Sequence, residues 1–243
     1  NPYTWILVGR VIQGIGAGGT YQIALALTGD LFQSEERSKA VGILEAANGM
    51  GKVVSPVAGS ALGLLFWFAP FFAYGILSIP IAFAVWLIVT EPKKKQSPKE
   101  YLTSLGAIFK KKAGPLLTTY LAGAVGLFLL FGLLSFISDE LETSHNMTGI
   151  VKGLVLAIPV AVMTLVAYAA GLLMQRRDSW LLPAILIGLA AAGAGLAGLA
   201  FVDGLLALIG FSSVMGFGIG MKLPALNTIV TSATDSDERG LIT

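Results

Sequence analysis

Seven runs of about 20 apolar residues constrain this chain most, because a run of that length crosses a lipid bilayer as a helix. They lie at about residues 4–27, 40–65, 70–89, 114–137, 149–174, 180–202 and 204–231. Hydrophobic residues occupy 55% of the 243 positions and charged residues only 12%. So few charges do not cover the exterior of a soluble protein of this size. The sequence therefore predicts an all-α membrane protein that crosses the bilayer several times.

The charges between the runs predict how the chain is oriented. Lys or Arg residues, such as Arg37 and Lys93, occur in the loops after the first, third, fifth and seventh runs. The loops after the second, fourth and sixth runs contain neither residue type. Because positive residues collect on the cytoplasmic side, the pattern places Asn1 outside and Glu238 inside. We expect a multi-pass protein of a bacterial cytoplasmic (inner) membrane.

The longest loop, at about residues 90–113, is interpreted as a cytoplasmic linker in contact with anionic lipid. It contains seven lysines and two prolines. A short amphipathic helix is expected within it, at about residues 101–109. The chain begins at Asn1 without a signal peptide and stops shortly after a charged loop. We therefore expect it to be an internal piece of a longer membrane protein, truncated at both ends.

An internal repeat relates the first and last runs. Residues 14–37 align without a gap on residues 216–239 with six identities. The identical pairs are Gly14/Gly216, Gly16/Gly218, Gly18/Gly220, Ser34/Ser236, Glu36/Glu238 and Arg37/Arg239. Because small residues let helix backbones approach closely, each glycine row predicts a packed helix face. The separation by six spans predicts two parallel halves, which is typical of one large class of secondary transporters.

Five charged residues fall inside the predicted runs: Arg10, Glu45, Lys52, Lys152 and Lys222. Lys152 lies close to the end of its run, where its side chain is expected to reach the membrane surface. A charge at the bilayer centre costs about 2.5–3.5 kcal/mol on insertion scales, so it persists where it is paired or lines a wet cavity. Glu45 is either a proton-carrying carboxylate or an anchor near the interface. Lys222 either faces the central cavity or pairs with an acid outside this chain. The positive excess favours neutral or anionic cargo over lipophilic cations.

The most specific motif lies in the first run. Residues 7–17 read Leu-x-x-Arg-x-x-Gln-Gly-x-Gly-Ala, and Arg10, Gln13, Gly14 and Gly16 are its polar and small members. This stretch resembles the fourth-helix motif of the twelve-helix drug:proton antiporter branch of the major facilitator superfamily. Gln13 either holds the Arg10 side chain or forms a hydrogen bond between helices. The resemblance implies that Arg10 takes part in proton coupling. The alternative is an arginine that bonds backbone carbonyls and holds the helix in place.

Two further stretches resemble motifs of the same branch. Residues 51–60 are similar to the fifth-helix motif GxxxGPxxGG: Gly51, Pro56 and Gly59 match it, whereas serine replaces glycine at Ser55 and at the last position. The resemblance implies a kinked helix at a packed interface between the two halves, which limits leak. The alternative is an ordinary packing kink.

The third stretch, residues 171–177, resembles the loop motif between helices eight and nine. Gly171, Arg176 and Arg177 match that motif, and Gln175 stands where an aspartate is usual.

The resemblance implies a fold with two six-helix bundles. Residues 1–90 would form helices 4–6 of the first bundle, residues 91–113 the linker, and residues 114–243 helices 7–10 of the second bundle with the following loop. It implies a proton-coupled secondary transporter that exports amphipathic small molecules by alternating access. The expected partners are the bilayer, a small-molecule substrate and protons, with no nucleic acid and a monomeric full-length protein.

Other functions remain open at this point. A carrier for a metabolite such as a sugar or an organic acid, or a fragment that does not transport alone, fits the same fold. A seven-helix photoreceptor is disfavoured because the third run has no acid to act as a counter-ion and the repeat would be unexplained. The chain has no cysteine and one histidine, His145, so we expect no metal site and no cofactor. It shows no nucleophile–base pair, so we expect no enzyme and no catalytic residue.

Overall fold

The computed structural model describes residues 2–31, 34–88, 98–176, 178–201 and 203–232, although not every side chain within those ranges. Within this part of the chain the regular structure is helical and no strand occurs. The helices are α1 (Pro2–Leu31), α2 (Ser34–Gly63), α3 (Ala69–Ile88), α4 (Pro98–Thr143), α5 (Gly149–Arg176), α6 (Leu181–Leu199) and α7 (Leu205–Ser232), with a 3₁₀ turn, Asp178–Trp180, before α6. One helix covers each predicted run, which confirms the all-α fold class.

Five helices in the described part of the chain are long and apolar enough to cross a membrane. The segments are Ala69–Ile88, Tyr120–Thr143, Gly149–Met174, Leu181–Leu199 and Leu205–Ile229. The helices α1 and α2 are long enough to cross a membrane, at 30 residues each, but they are more polar than these five segments. Arg10, Gln13 and several glycines lower the hydropathy of α1, and α2 begins with a charged turn. These two helices are membrane spans by prediction.

The predicted linker helix is not a separate element. Its residues, 101–109, are helical, but they belong to α4, which begins at Pro98 and continues to Thr143. Lysine, leucine and alanine, which favour helix, are frequent between residues 105 and 113. The helix therefore starts well before the apolar part that was expected to cross the bilayer.

The helices divide between two compact units. One unit comprises residues 1–48, 92–111 and 234–243, and its described part holds α1, the first half of α2 and the start of α4. The other comprises residues 49–91 and 112–233 and holds the rest of α2 and α4 together with α3, α5, α6 and α7. The assignment of helices to two transporter bundles stays a prediction.

The core of the second unit is built by side chains from four helices. Its buried members are Leu130, Leu133, Ile137 and Leu141 of α4, Leu156, Val160 and Met163 of α5, Ala192 of α6, and Leu208, Met215 and Ile219 of α7. Near one end of this core, Lys152 Nζ lies 2.6 Å from Glu142 Oε2. This ion pair joins the first turn of α5 to the last turn of α4.

Small residues bring α7 close to its neighbours. A Cβ at Gly218 would collide with the backbone of Ala192 in α6. A Cβ at Gly216 would collide with the Pro159 carbonyl of α5. A Cβ at Gly220 would lie 2.5 Å from the Met163 carbonyl oxygen, also in α5. The glycine row predicted in the last run is therefore a packed seam, in which alternate glycines face α5 and α6.

The matching row in α1 has different surroundings. A Cβ added at Gly14, Gly16 or Gly18 would have no atom within 4 Å among the described residues. The same spacing therefore accompanies close packing in α7 and open space in α1. The reason is that a glycine row permits close approach, but a neighbouring helix must be present for the approach to occur.

Candidate functional site

The C-terminal half of α2 lies antiparallel to the N-terminal half of α5. At one end of the contact, a Cβ at Gly49 would lie 2.8 Å from Thr164 Cγ2. At the other end, Leu64 covers Gly149, and a Cβ there would lie 2.5 Å from Leu64 Cδ1. Gly149 also has a φ of 57°, a backbone conformation that glycine adopts most easily. We call this contact between residues 49–64 and 149–164 the α2–α5 seam.

The centre of the seam is formed by Gly153 of α5 against the backbone of α2. A Cβ at Gly153 would lie 2.6 Å from Val57 Cα and 2.8 Å from the Pro56 carbonyl oxygen. It would also lie 3.1 Å from Ser60 Cβ. Pro56 lies inside α2, where its missing N–H removes one helical hydrogen bond. The proline of the fifth-helix motif is therefore at a close helix–helix contact.

The glycines of that motif do not make the contact. A Cβ at Gly51 or Gly59 would have no atom within 4 Å in the described part of the chain, and Ser55 is exposed. The close approach depends instead on glycines outside the three motifs, namely Gly49 before the fifth-helix motif and two glycines of α5. Gly149 and Gly153 are four residues apart, which puts them on one helix face as a small-xxx-small pair. That spacing was the available sequence signal.

The predicted contact between Arg10 and Gln13 is present in α1. Arg10 Nη1 donates a hydrogen bond to Gln13 Oε1 at 2.9 Å, across one helical turn. Arg10 is exposed and Gln13 is half-buried within this chain. The bond fixes one edge of the guanidinium, and the role of Arg10 in proton coupling stays a prediction.

Lys222 is the one charged side chain that is buried in the part of the chain described, with 3% of its surface exposed. It lies in α7 between two glycines of other helices. A Cβ at Gly188 of α6 would be 3.0 Å from Lys222 Cβ, and a Cβ at Gly126 of α4 would be 2.8 Å from its Nζ. Gly126 leaves room for the end of the side chain, and Gly188 lets the α7 backbone at Lys222 approach α6. We call these three residues the Lys222 slot.

The remaining candidates are less informative. Lys52 is exposed on α2, and Gly171 has open space beside it. The side chains of Glu45 and Arg176, and the whole of Arg177, lie outside the described residues. No group of three or more His, Cys, Asp or Glu side chains suited to a metal ion occurs in the described part of the chain.

An apolar cavity of about 330 Å³ lies beside α4 and the end of α6. Its lining residues are Phe128, Leu129, Gly132, Leu133, Phe136, Leu196, Leu199 and Ala200. None of these side chains is polar, so the cavity has no side-chain hydrogen-bonding group to orient a ligand.

Comparison with known proteins identifies the family. The whole chain, residues 1–243, matches the sequence profile of the Major Facilitator Superfamily. The chain belongs to this family. The resemblance drawn from its motifs is thereby confirmed at the level of the superfamily, and membership points to a membrane transporter rather than an enzyme. No solved structure matches the chain significantly.

Three relatives show which members of the superfamily the chain is similar to. It is 33% identical over 247 residues to the Bacillibactin exporter of Bacillus subtilis (strain 168), covering 100% of this chain and 61% of that protein. It is 29% identical over 251 residues to the Tetracycline resistance protein, class C, of Escherichia coli, covering 99% and 61%. It is 31% identical over 108 residues to Multidrug resistance protein MdtL of Escherichia coli O9:H4 (strain HS), covering 42% and 28%. The chain thus spans about three fifths of the length of the first two relatives.

Proposed function

We propose that this chain is part of a proton-coupled exporter of amphipathic small molecules that works by alternating access in a bacterial cytoplasmic membrane. Membership of the superfamily and the names of the three relatives, which describe export and drug resistance, support export. The observation that carries the proposal is the α2–α5 seam, in which Pro56 and Val57 of the fifth-helix motif meet Gly153.

The seam supports exchange rather than an open pathway. Under the twelve-helix assignment, α2 belongs to the first bundle and α5 to the second, and the two bundles rock about a central site. Gly153 brings the two helix backbones together without an intervening side chain. A contact of this closeness leaves no space for water, since protein interiors are packed like organic crystals. Such a seam lets the bundles turn while ions are kept from passing between them.

Arg10 supplies the second part of the proposal. A fixed cation stabilises a nearby carboxylate in its charged form. A rearrangement that moves the two groups apart therefore favours uptake of a proton by the acid, and their return favours its release. The hydrogen bond that Arg10 donates to Gln13 holds the guanidinium in one orientation. Glu45, the acid of the predicted spans, is the candidate partner within this chain.

The test uses the full-length protein in inverted membrane vesicles that carry a respiratory proton gradient, followed with a pH-sensitive dye. Norfloxacin, ethidium and 1-pyrenebutyrate are added separately. We expect at least one compound to release protons from the wild-type vesicles, and Arg10→Ala to abolish that release. The neighbouring exposed position supplies a control, Val11→Ala, which should behave as wild type.

Two results would contradict the proposal in different ways. Release that persists in Arg10→Ala gives the arginine a structural role and removes it from the coupling path. Absence of release with every compound contradicts antiport and favours a uniporter or a narrow metabolite carrier.

A further inference from the structure

The position of Lys222 requires an explanation that the helix packing does not provide. A buried ammonium group is unfavourable unless it is paired, hydrogen-bonded or next to water. Within the described residues, Lys222 has neither a hydrogen bond nor an ion pair. Among the described residues, no side-chain nitrogen or oxygen is both fully buried and without a hydrogen-bond partner. Because the Lys222 ammonium has no such partner, it is not fully buried. It therefore borders accessible space, while the rest of the residue is enclosed.

The neighbours of Lys222 are arranged to accommodate it. The Cβ and backbone nitrogen of Lys222 lie against Gly188 of α6, and its Nζ and Cε lie over Gly126 of α4. An alanine at Gly126 would place a methyl group 2.8 Å from Nζ. Gly126 of α4 thus leaves room for the ammonium group, and Gly188 of α6 admits the α7 backbone that carries the lysine.

The slot is too deep for the lysine to act as a surface anchor. Lys222 precedes the last residue of α7, Ser232, by ten positions, which is about 15 Å along a helix. Gly188 follows the first residue of α6 by seven positions, which is about 10 Å. Lysines that reach the membrane surface do so from near helix ends. Lys222 is therefore a cation held inside the apolar part of the bundle.

We propose that Lys222 is an anion-binding residue of the substrate path, and that the carried molecule presents a carboxylate or a similar anionic oxygen to it. The proposal rests on the proposed transport function. The charges of the predicted spans agree with it, because Arg10, Lys52 and Lys222 outnumber Glu45. A carboxylate gains both charge attraction and a charge-assisted hydrogen bond from an ammonium group in a site of low polarity.

The experiment compares two ligands that share one apolar body. 1-Pyrenebutyrate carries a carboxylate, and its amide carries no charge. Binding of each to the purified full-length protein is measured by energy transfer from tryptophan to pyrene. We expect the wild type to bind the carboxylate at least about tenfold more tightly than the amide, which is the scale of one charge-assisted contact. Lys222→Gln should reduce that ratio to about one, and Lys222→Arg should keep most of it.

A second variant separates the position of the ammonium from its charge. Gly126→Ala displaces the flexible end of the lysine and leaves its charge intact, so the ratio should fall while the protein remains folded. Gly123→Ala is the matched control, because the same helix has open space at Gly123. It should keep the wild-type ratio.

The proposal is overturned if Lys222→Gln keeps the ratio, or if that variant unfolds and Gly126→Ala keeps the ratio. A loss of thermal stability in Lys222→Gln with an unchanged ratio shows that the lysine stabilises the fold and does not bind the anion. These results are independent of proton coupling, because binding is measured without a gradient. A Lys222-dependent preference without proton release leaves the anion site in place and contradicts the antiporter. Proton release that is equal for anionic and cationic compounds and insensitive to Lys222→Gln supports the antiporter and contradicts the anion site.

Discussion

The α2–α5 seam makes Gly153→Ala the most direct test of the packing. The added methyl carbon would lie 2.6 Å from Val57 Cα, 2.8 Å from the Pro56 carbonyl oxygen and 3.1 Å from Ser60 Cβ. Two of these three atoms belong to the α2 backbone, so no flexible side chain can move away. Because ordinary carbon contacts lie at about 3.5–4.0 Å, the helices must separate locally by about 1 Å.

The size of the effect follows from two opposing terms. Overpacking of this kind costs about 1–3 kcal/mol. Alanine stabilises a helix by roughly 0.5–1 kcal/mol relative to glycine. The net expectation is a loss of about 0.5–2 kcal/mol in the free energy of unfolding, which lowers the melting temperature by a few degrees. If the seam also seals the pathway, vesicles with this variant should lose an imposed proton gradient faster.

The assay is thermal unfolding of the full-length protein in detergent, followed by tryptophan fluorescence. Gly193→Ala is the matched control, because Gly193 of α6 is exposed and a Cβ there meets nothing within 4 Å. It has the same gain in helix propensity and no clash. The difference between the two variants therefore measures the clash alone. Equal melting temperatures for the two variants would refute the close contact between α2 and α5.

Three further predictions use the same melting assay. Gly49→Ala should lower the melting temperature, because the added methyl group would lie 2.8 Å from Thr164 Cγ2. Thr164→Ser removes the threonine methyl group, so the double variant should recover the melting temperature. Additive losses in the double variant would contradict the contact. Gly218→Ala should cost about 1–3 kcal/mol because the α6 backbone lies against it; a melting temperature equal to that of the α6 control would argue against this packing. Glu142→Gln should change the melting temperature little, because the Glu142 carboxylate that pairs with the half-buried Lys152 is itself exposed. A clear loss would show that this pair holds the turn between α4 and α5.

Some of the site could be predicted from sequence and some could not. The pairing of Arg10 with Gln13 was predictable because residues three apart on a helix are neighbours whatever surrounds them. The seam was only partly predictable. Pro56 was expected at a packed interface and lies at one, but the glycines that allow the approach are Gly49 and Gly153. Which face of α2 meets another helix depends on the rotation of α2, and residue spacing alone does not fix that rotation.

The sequence by itself determined that the chain is helical and membrane-embedded, and which superfamily it belongs to. The length of an apolar run and the identity of motif residues are local properties of the sequence. The first decides whether a helix can cross a bilayer, and the second identifies the family, without knowledge of tertiary contacts. The tertiary structure decided which glycines are packed and what surrounds Lys222. Among the described residues, the same glycine spacing is open in α1 and closely packed in α7, because close approach needs a second helix. Likewise, Gly126 and Gly188 are far from Lys222 in sequence and define its slot only after α4, α6 and α7 have packed together.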